Sequence, residues 1–371
     1  MKVSRVIKKI VQRGRERVLL VEETERGYFG SELNVRGEDL VIKKQKKIKT
    51  LTDISKSIVP ELMYDRIILA LRAENVATIE SSVSVFRVHQ DELIDDGELD
   101  SLLFHALWSF LNKFRPLAAK KLNASELDLV IANIAVFGVK LQGHNVFNPL
   151  GFSGKEIEFS FRVSFISRSL LPILERIARR SESGPIVTER GAILASMISR
   201  PGILFDVDKT KTLWYEIGDE CGFRGSIDWG YSNIYTSLGE VFGVSSEYIY
   251  ELLPRFSSHR ISLRVKGIVE KIIRDEYKQF KEFADASLKA EHHESLRGEG
   301  RIIHFEDENI ASVFSSDERY KISDKSFFFG QKTSLALASF PFVHPQYEYL
   351  NQLLRRRAKW LVPLEVSQKG R

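Results

Sequence analysis

The sequence predicts an α/β protein of two or three domains, and three observations carry that reading. Short β-rich runs bounded by glycine- and charge-rich turns open the chain. A strongly amphipathic stretch from Asp95 to Leu122 interrupts them as a helix. A Pro201-Gly202 break then precedes a second set of strands and helices. At 371 residues, with 43% hydrophobic and 28% charged residues, the chain is long and apolar enough to bury sizeable cores.

Lys2 to Arg17 carries Lys8, Lys9, Arg13, Arg15 and Arg17, with Val3, Val6, Ile7, Ile10 and Val11 at near-helical spacing, and reads as a basic amphipathic helix. Arg17–Glu22, Gly27–Val35 and Asp39–Lys44 follow as an antiparallel meander. The apolar run Asp65–Leu71 suits a strand buried on both faces, and Ser81–Val88 continues a sheet. In the helix, Asp95 or Asp96 is the cap, Leu99, Leu103, Leu107 and Phe110 form one stripe, and Pro116 ends or kinks it. Leu127–Phe137 and Gly138–Val146 read as strands with a polar turn at Gln142-Gly143-His144-Asn145, and Glu156–Phe165 as a third strand. Helices are expected at Ser169–Arg180 and Glu189–Ile198. Beyond the Pro-Gly break, a strand pair (Ile203–Asp208, Leu213–Ile217), a helix Ser232–Phe242 stopped by Gly243, a long charged helix Ser262–Leu288 and a strand Arg301–Glu306 complete the pattern. No repeat of 20–50 residues is present, which excludes a solenoid or propeller.

Composition narrows the function. The single cysteine, Cys221, excludes an internal disulfide framework and any multi-cysteine metal site, and suits the cytoplasm. No apolar run approaches the roughly 20 residues that span a bilayer, and the N-terminus lacks the apolar core of a signal peptide. Lys and Arg number 55 against 50 Asp and Glu, a balance of +5 that is too small to mark a nucleic-acid binder. The Lys43–Lys49 run reads first as the protected edge of a sheet and only second as a phosphate-contacting patch. Phosphate-loop, serine-hydrolase, zincin, EF-hand and dinucleotide motifs are all missing. His292-His293, flanked by Glu291 and Glu294, point apart on a helix, so no metal is expected there.

The most specific stretch is Asn145-Val146-Phe147-Asn148-Pro149-Leu150-Gly151-Phe152-Ser153-Gly154-Lys155. Physically it is two tight turns, with Pro149 setting chain direction and Gly151 and Gly154 free to take positive φ. It resembles the Asn-Pro-Leu-Gly-Phe-x-Gly-Lys segment of FtsA, the actin-like bacterial cell-division protein. There the segment lies in an inserted strand–helix–strand–strand (SHS2) subdomain. The resemblance runs weakly from about Arg17 to Phe256: Glu189 matches the family's Glu-Pro-x-Ala helix start without its proline, and the stretch from Ser237 to Glu247 is similar to the family's downstream helix. It implies an actin-like, ribonuclease-H-like two-domain α/β fold. The first domain comprises residues 1–80 and 165–200, the SHS2 insert 81–164, the second domain 201–345, and a basic amphipathic helix and tail 346–371.

The resemblance also places a second phosphate loop at Asp206-Val207-Asp208-Lys209-Thr210-Lys211-Thr212-Leu213, where only Asp206 and Thr212 match the family's Asp-x-Gly-Gly-Gly-Thr-Thr-Asp. Side chains replace the three glycines that let backbone amides approach an anion, Leu213 stands where a metal-holding acid belongs, and Glu22 and Glu23 occupy the first phosphate turn. Asp206, Lys209 and Thr212 are thus a degenerate nucleotide site, with Lys209 and Lys211 the features that could rescue it. The implied activity is that of a degenerate ATPase acting as a scaffold in division or envelope assembly, with no cofactor expected and ATP with Mg²⁺ disfavoured. Its expected partners are other copies of itself and division or envelope-assembly proteins, met through Asn148, Pro149, Gly151 and Gly154. At the C-terminus, Leu350, Leu354, Arg355, Arg356, Lys359 and Trp360 suit either an anchor on an anionic membrane surface or a helix packed on the last sheet. The rivals are a working nucleotide switch of the same fold, a pilus or secretion adaptor resembling PilM, and a nucleic-acid binder using the basic segments.

Overall fold

A computed structural model describes residues 16–24, 27–36, 39–57, 64–179, 184–198, 201–217, 222–257, 260–290, 300–305, 314, 319–322 and 347–364. The basic segment before Glu16, Cys221, and the histidines at 292 and 293 lie outside the described residues. The chain forms two compact units, one of Met1–Leu194 with Lys332–Arg371, the other of Ala195–Gln331.

In the first unit, β1 (Glu16–Thr24), β2 (Gly27–Arg36) and β3 (Asp39–Ile48) form the expected meander, followed by a short helix α1 (Leu51–Ser57) and then β4 (Arg66–Leu71). β4 lies parallel to β1, and Ile67 to Leu71 are fully buried, as an apolar run without alternation requires. β5 (Val76–Phe86) leads into the insert, which contains α2 (Asp96–Lys121), β6 (Leu129–Leu141), β7 (His144–Asn145) and β8 (Glu156–Ser167). After α3 (Leu171–Ala178), β9 (Pro185–Glu189) returns beside β4, and α4 (Arg190–Met197) follows. The resulting sheets run β3-β2-β1-β4-β9 and β5-β8-β6-β7.

The second unit contains β10 (Gly202–Val207), β11 (Thr212–Ile217), β12 (Gly222–Ile227), α5 (Ser232–Phe242), α6 (Ser246–Ser257), α7 (Leu263–Ala290), β13 (Gly300–Phe305) and β14 (Tyr320–Ile322). Its sheet runs β12-β11-β10-β13-β14. Both five-stranded sheets therefore share one plan: an antiparallel meander of three strands whose first member pairs in parallel with the next, which pairs in parallel with the last. That plan, occurring twice with a four-stranded insert in the first copy, is the actin-like, ribonuclease-H-like architecture. The final helix, α8 (Glu348–Arg357), belongs to the first unit.

Three local expectations change. Helix α2, capped by the Asp95 side chain on Glu98 N, does not end at Pro116 but continues to Lys121. An internal proline costs about 3 kcal/mol, but Pro116 is exposed, and the turn beyond it buries Ala118 and Ala119 and brings Lys121 to a buried acid, which holds the helix intact. β6 is one strand through Gly138 rather than two. At Gly138 a Cβ would meet Ser160 Oγ at 2.8 Å, so glycine permits the close pairing with β8. The β6–β7 turn is two residues, Gln142 at φ 50° and Gly143 at φ 79°, a type I′ hairpin.

The insert has its own core. Leu99, Leu103, Leu107 and Phe110 of α2 pack on Phe159, Phe161 and Val163 of β8 and on Val136 and Val139 of β6. At roughly 1.5–3 kcal/mol for each fully buried large side chain, this layer is a main source of the insert's stability. A buried polar cluster joins the two sheets of the unit. Lys121 Nζ lies 2.5 Å from Glu189 Oε2, both side chains about 1% exposed, and Glu189 also accepts from Thr78 N while its own N–H donates to Thr78 Oγ1.

Candidate functional site

The β10–β11 turn of the second unit carries Asp206, Lys209 and Thr212. Along this hairpin Val207 pairs with Thr212 and Asp206 with Leu213, so alternation sends the Asp206 and Thr212 side chains to opposite faces of the sheet. Each meets its own partner. Asp206 Oδ1 lies 2.9 Å from His304 Nδ1 on β13, directly across the parallel pair, and the buried Thr212 hydroxyl donates to Trp229 O at 2.7 Å. Lys209 sits in an exposed turn closed by Asp208 N to Lys211 O, and its own N–H donates to Asp208 Oδ1.

The backbone that opens α5 lies against this turn. Tyr231 N donates to Asp208 O and Ser232 N to Lys209 O, and a Cβ at Gly230 would stand only 2.4 Å from Lys209 O. The amides at the helix start, the groups that bind anions in phosphate sites, are thus directed at the turn's own carbonyls.

The β1–β2 turn of the first unit is filled in a comparable way. Glu23, 7% exposed, accepts from Tyr28 OH at 2.7 Å, from Arg72 N at 2.8 Å and from Asn75 Nδ2 through both oxygens. Burial, reinforced by the neighbouring Glu23 carboxylate, raises the Tyr28 pKa well above the ordinary tyrosine value. Glu22 lies 3.2 Å from Arg190 Nε. A carboxylate therefore takes up the donors that an anion at this turn would need. The actin-like fold implies a nucleotide and its divalent metal at these two turns, and the residues present do not fit them: phosphates would meet Glu23 at one and displace helix-start hydrogen bonds at the other. Among the described residues no group of three or more His, Cys, Asp or Glu is placed to hold a metal ion.

The Asn148–Gly154 turns stand at one end of the insert. Asn148 Oδ1 accepts from Leu150 N, Pro149 is buried, and Gly151 takes φ 76°. The turns are laced to residues 87–94 by Gly151 N to Ile94 O, Ile94 N to Phe152 O, Gly154 N to Gln90 O and Arg87 N to Lys155 O. Arg87, with a fully buried side chain, locks the arrangement: it pairs bidentately with Glu98 at 2.7–2.8 Å and donates to Gly154 O and Glu92 O. On this rigid end Phe86, Val88, Leu93 and Phe152 are each more than half exposed.

The C-terminal residues divide. Leu350 and Leu354 are 1% and 3% exposed, inside the insert's core with Ala358 and Val362, so they are not available to a lipid surface and that expectation is corrected. The apolar face of α8 is satisfied by α2 and β6. Arg355, Arg356, Lys359 and Trp360 remain exposed, and Trp360 packs at 6.0 Å on Trp108. Asn351 meets the edge of β6 that, among the described residues, only the short β7 pairs with: its Oδ1 accepts from Val136 N at 2.8 Å and its Nδ2 donates to Val136 O at 3.0 Å. Burial raises the Tyr347 pKa above the ordinary tyrosine value, and the nearby backbone of Val139 in the same edge lowers it in part. No helix among the described residues is long and apolar enough to cross a membrane.

Sequence reasoning singled out the turn at Asn148 but missed Arg87, His304, Asn351 and Asn75, each of which acts on a segment far from it in the chain. A lone arginine within an alternating β run was the only available signal for Arg87.

No protein-family model and no curated protein matches this chain. Among solved structures, a PilM–PilN type IV pilus biogenesis complex is similar over 94% of this chain and 98% of that one, at 10% identity and a TM-score of 0.48. The cytoplasmic domain of EpsL, an inner membrane component of the type II secretion system of Vibrio cholerae, is similar over 88% and 95% at 12% identity and a TM-score of 0.34. The ethanolamine utilization protein EutJ from Carboxydothermus hydrogenoformans is similar over 91% and 93% at 10% identity and a TM-score of 0.36. Likenesses of this depth decide neither activity nor partner, and the fold rests on the strand order.

Proposed function

We propose that this chain is an actin-fold adaptor that does not hydrolyse nucleotide, working by self-association and partner binding in bacterial cell division or envelope assembly, in the manner its Asn148–Lys155 segment resembles. The observation that carries the reading is the closure of both phosphate turns by the protein's own groups: Glu23 with Tyr28, Arg72 and Asn75 in one, the amides of Tyr231 and Ser232 on the turn carbonyls in the other. A scaffold keeps the fold's rigid sheets and surfaces while its catalytic turns become structural. The exposed apolar end of the insert, braced by Arg87, supplies a preorganised contact surface.

The test is calorimetry of the purified chain with millimolar ATP and Mg²⁺, beside Asp206→Ala. The adaptor reading expects no saturable heat in either. Saturable binding that Asp206→Ala abolishes would overturn it and restore a nucleotide-gated switch.

A further inference from the structure

The exposed end of the insert combines two properties. Phe86, Val88, Leu93 and Phe152 form its apolar part, on backbone segments tied together by the Arg87 N to Lys155 O and Ile94 N to Phe152 O hydrogen bonds. Between and beside them run Asp91, Glu92, Asp95 and Asp96, all exposed. The basic groups nearby do not balance them: the Arg87 guanidinium is spent on Glu98, His89 lies 3.7 Å from Glu92, Arg357 pairs with Asp100 and the Tyr349 hydroxyl is taken up by Asp96, which sets Lys155 and Arg356 against Asp91, Glu92 and Asp95. An apolar patch with an acidic border repels anionic lipid and nucleic acid and attracts a cationic amphipathic segment.

One segment of this chain has that chemistry. Residues 1–15, outside the described residues, contain six basic residues and no acidic one, with Val3, Val6, Ile7, Ile10 and Val11 at the i, i+3, i+4, i+7 spacing of a helix face. The other lysine-rich run, Lys43–Lys49, does not qualify. It lies within β3 and beyond its end, and its one large apolar residue, Ile48, is buried in the first unit's core.

We infer that the acidic, apolar end of the insert is the docking site for the basic N-terminal segment of this chain, with Leu93 and Phe152 receiving the Val6–Ile10 face and Asp91 and Glu92 facing its lysines. The inference deepens the adaptor reading by naming what binds this surface. The two fail separately: nucleotide binding would sink the adaptor reading and leave the docking untouched, whereas absence of peptide binding at this surface would sink the docking and leave the adaptor reading standing.

The test measures fluorescence anisotropy of a labelled peptide of residues 1–17 against the full chain carrying Val6→Ser and Ile10→Ser, which empties the site of its own segment. Micromolar binding is expected, weakening about tenfold in Leu93→Ser/Phe152→Ser, about tenfold in Asp91→Lys/Glu92→Lys, and about tenfold between low and high salt. All four positions are exposed, and unchanged melting curves for these variants check the fold. A peptide of the same composition with the apolar spacing scrambled should bind at least tenfold more weakly. No binding at millimolar chain, equal binding by the scrambled peptide, or affinity unchanged in both surface variants would each overturn the inference.

Discussion

Replacing Asn351 with leucine should open the β6 edge measurably. The amide side chain makes a two-way hydrogen-bonded pair with Val136, accepting from its N–H at 2.8 Å and donating to its C=O at 3.0 Å. Val136 is fully buried, and Asn351 only 4% exposed. Leucine keeps the volume and apolar contact but leaves both backbone groups without a partner. An unsatisfied buried donor or acceptor costs about 1–3 kcal/mol, so the pair sets an expected loss of about 2–6 kcal/mol. Because the chain has two compact units, a single global unfolding midpoint would blur the effect. Amide hydrogen exchange at Val136 reads it locally: its opening free energy should fall by the same amount, while exchange in β10 and β13 stays constant. Arg355→Ala, on the exposed side of the same helix, is the control and should change protection by less than about 0.5 kcal/mol. A loss below about 0.5 kcal/mol in Asn351→Leu would refute the reasoning, since it would mean the edge is satisfied without the amide.

Three further outcomes are expected. Lys121→Met leaves Glu189 charged and buried without its partner and should cost about 3–5 kcal/mol by urea unfolding, whereas adding Glu189→Gln should recover most of the loss; equal losses in the single and double variants would show that the ion pair is not the cause. Tyr28 and Tyr64 have pKa values raised by burial and by their hydrogen bonds to Glu23 and Glu32, so above the ordinary tyrosine pKa the unfolded chain releases protons that the folded chain keeps. Stability should therefore fall as pH rises past about 10, and Tyr28→Phe should flatten that slope in urea titrations; an unchanged slope would refute the assignment. Arg87→Ala should speed hydrogen exchange in residues 88–94 and at Gly154 while leaving β6 and β8 protected, since the guanidinium bridges those segments through Glu92 O and Gly154 O.

The parts of this fold that were legible in the sequence were those with local signals. The meander of β1 to β3, the doubly buried β4, the cap at Asp95 and the stop at Gly243 each follow from residues within a few positions of one another. β12 and α6 were missed. β12 carries Gly222 and Gly225 inside a strand, which breaks the alternation that identifies one, and α6 contains Pro254 and begins directly after the Gly243 break. For the candidate site, sequence and structure contribute different things. Residues 208–210 show side chains where the family that the segment resembles has glycines, but the partners of this hairpin, His304 and the Tyr231 and Ser232 amides, come from elements whose proximity only the folded sheet creates. The C-terminal helix was ambiguous for a physical reason: an amphipathic face suits lipid and core equally, and only Asn351 in that face, a poor lipid neighbour, distinguished them.

The return of α8 to the first unit has a consequence for synthesis. Val136 and its hydrogen-bonding partner Asn351 are 215 residues apart in the chain, with the whole second unit encoded between them. At roughly 5–20 residues per second, the ribosome needs about 10–40 s to supply the residue that closes the β6 edge. During that interval the nascent insert displays an unpaired strand beside neighbouring nascent chains on the same messenger, the condition under which polysomes seed co-aggregation. Truncations that stop short of Asn351 should therefore collect in inclusion bodies, and a chaperone that shields strand edges should raise the soluble yield of the whole protein.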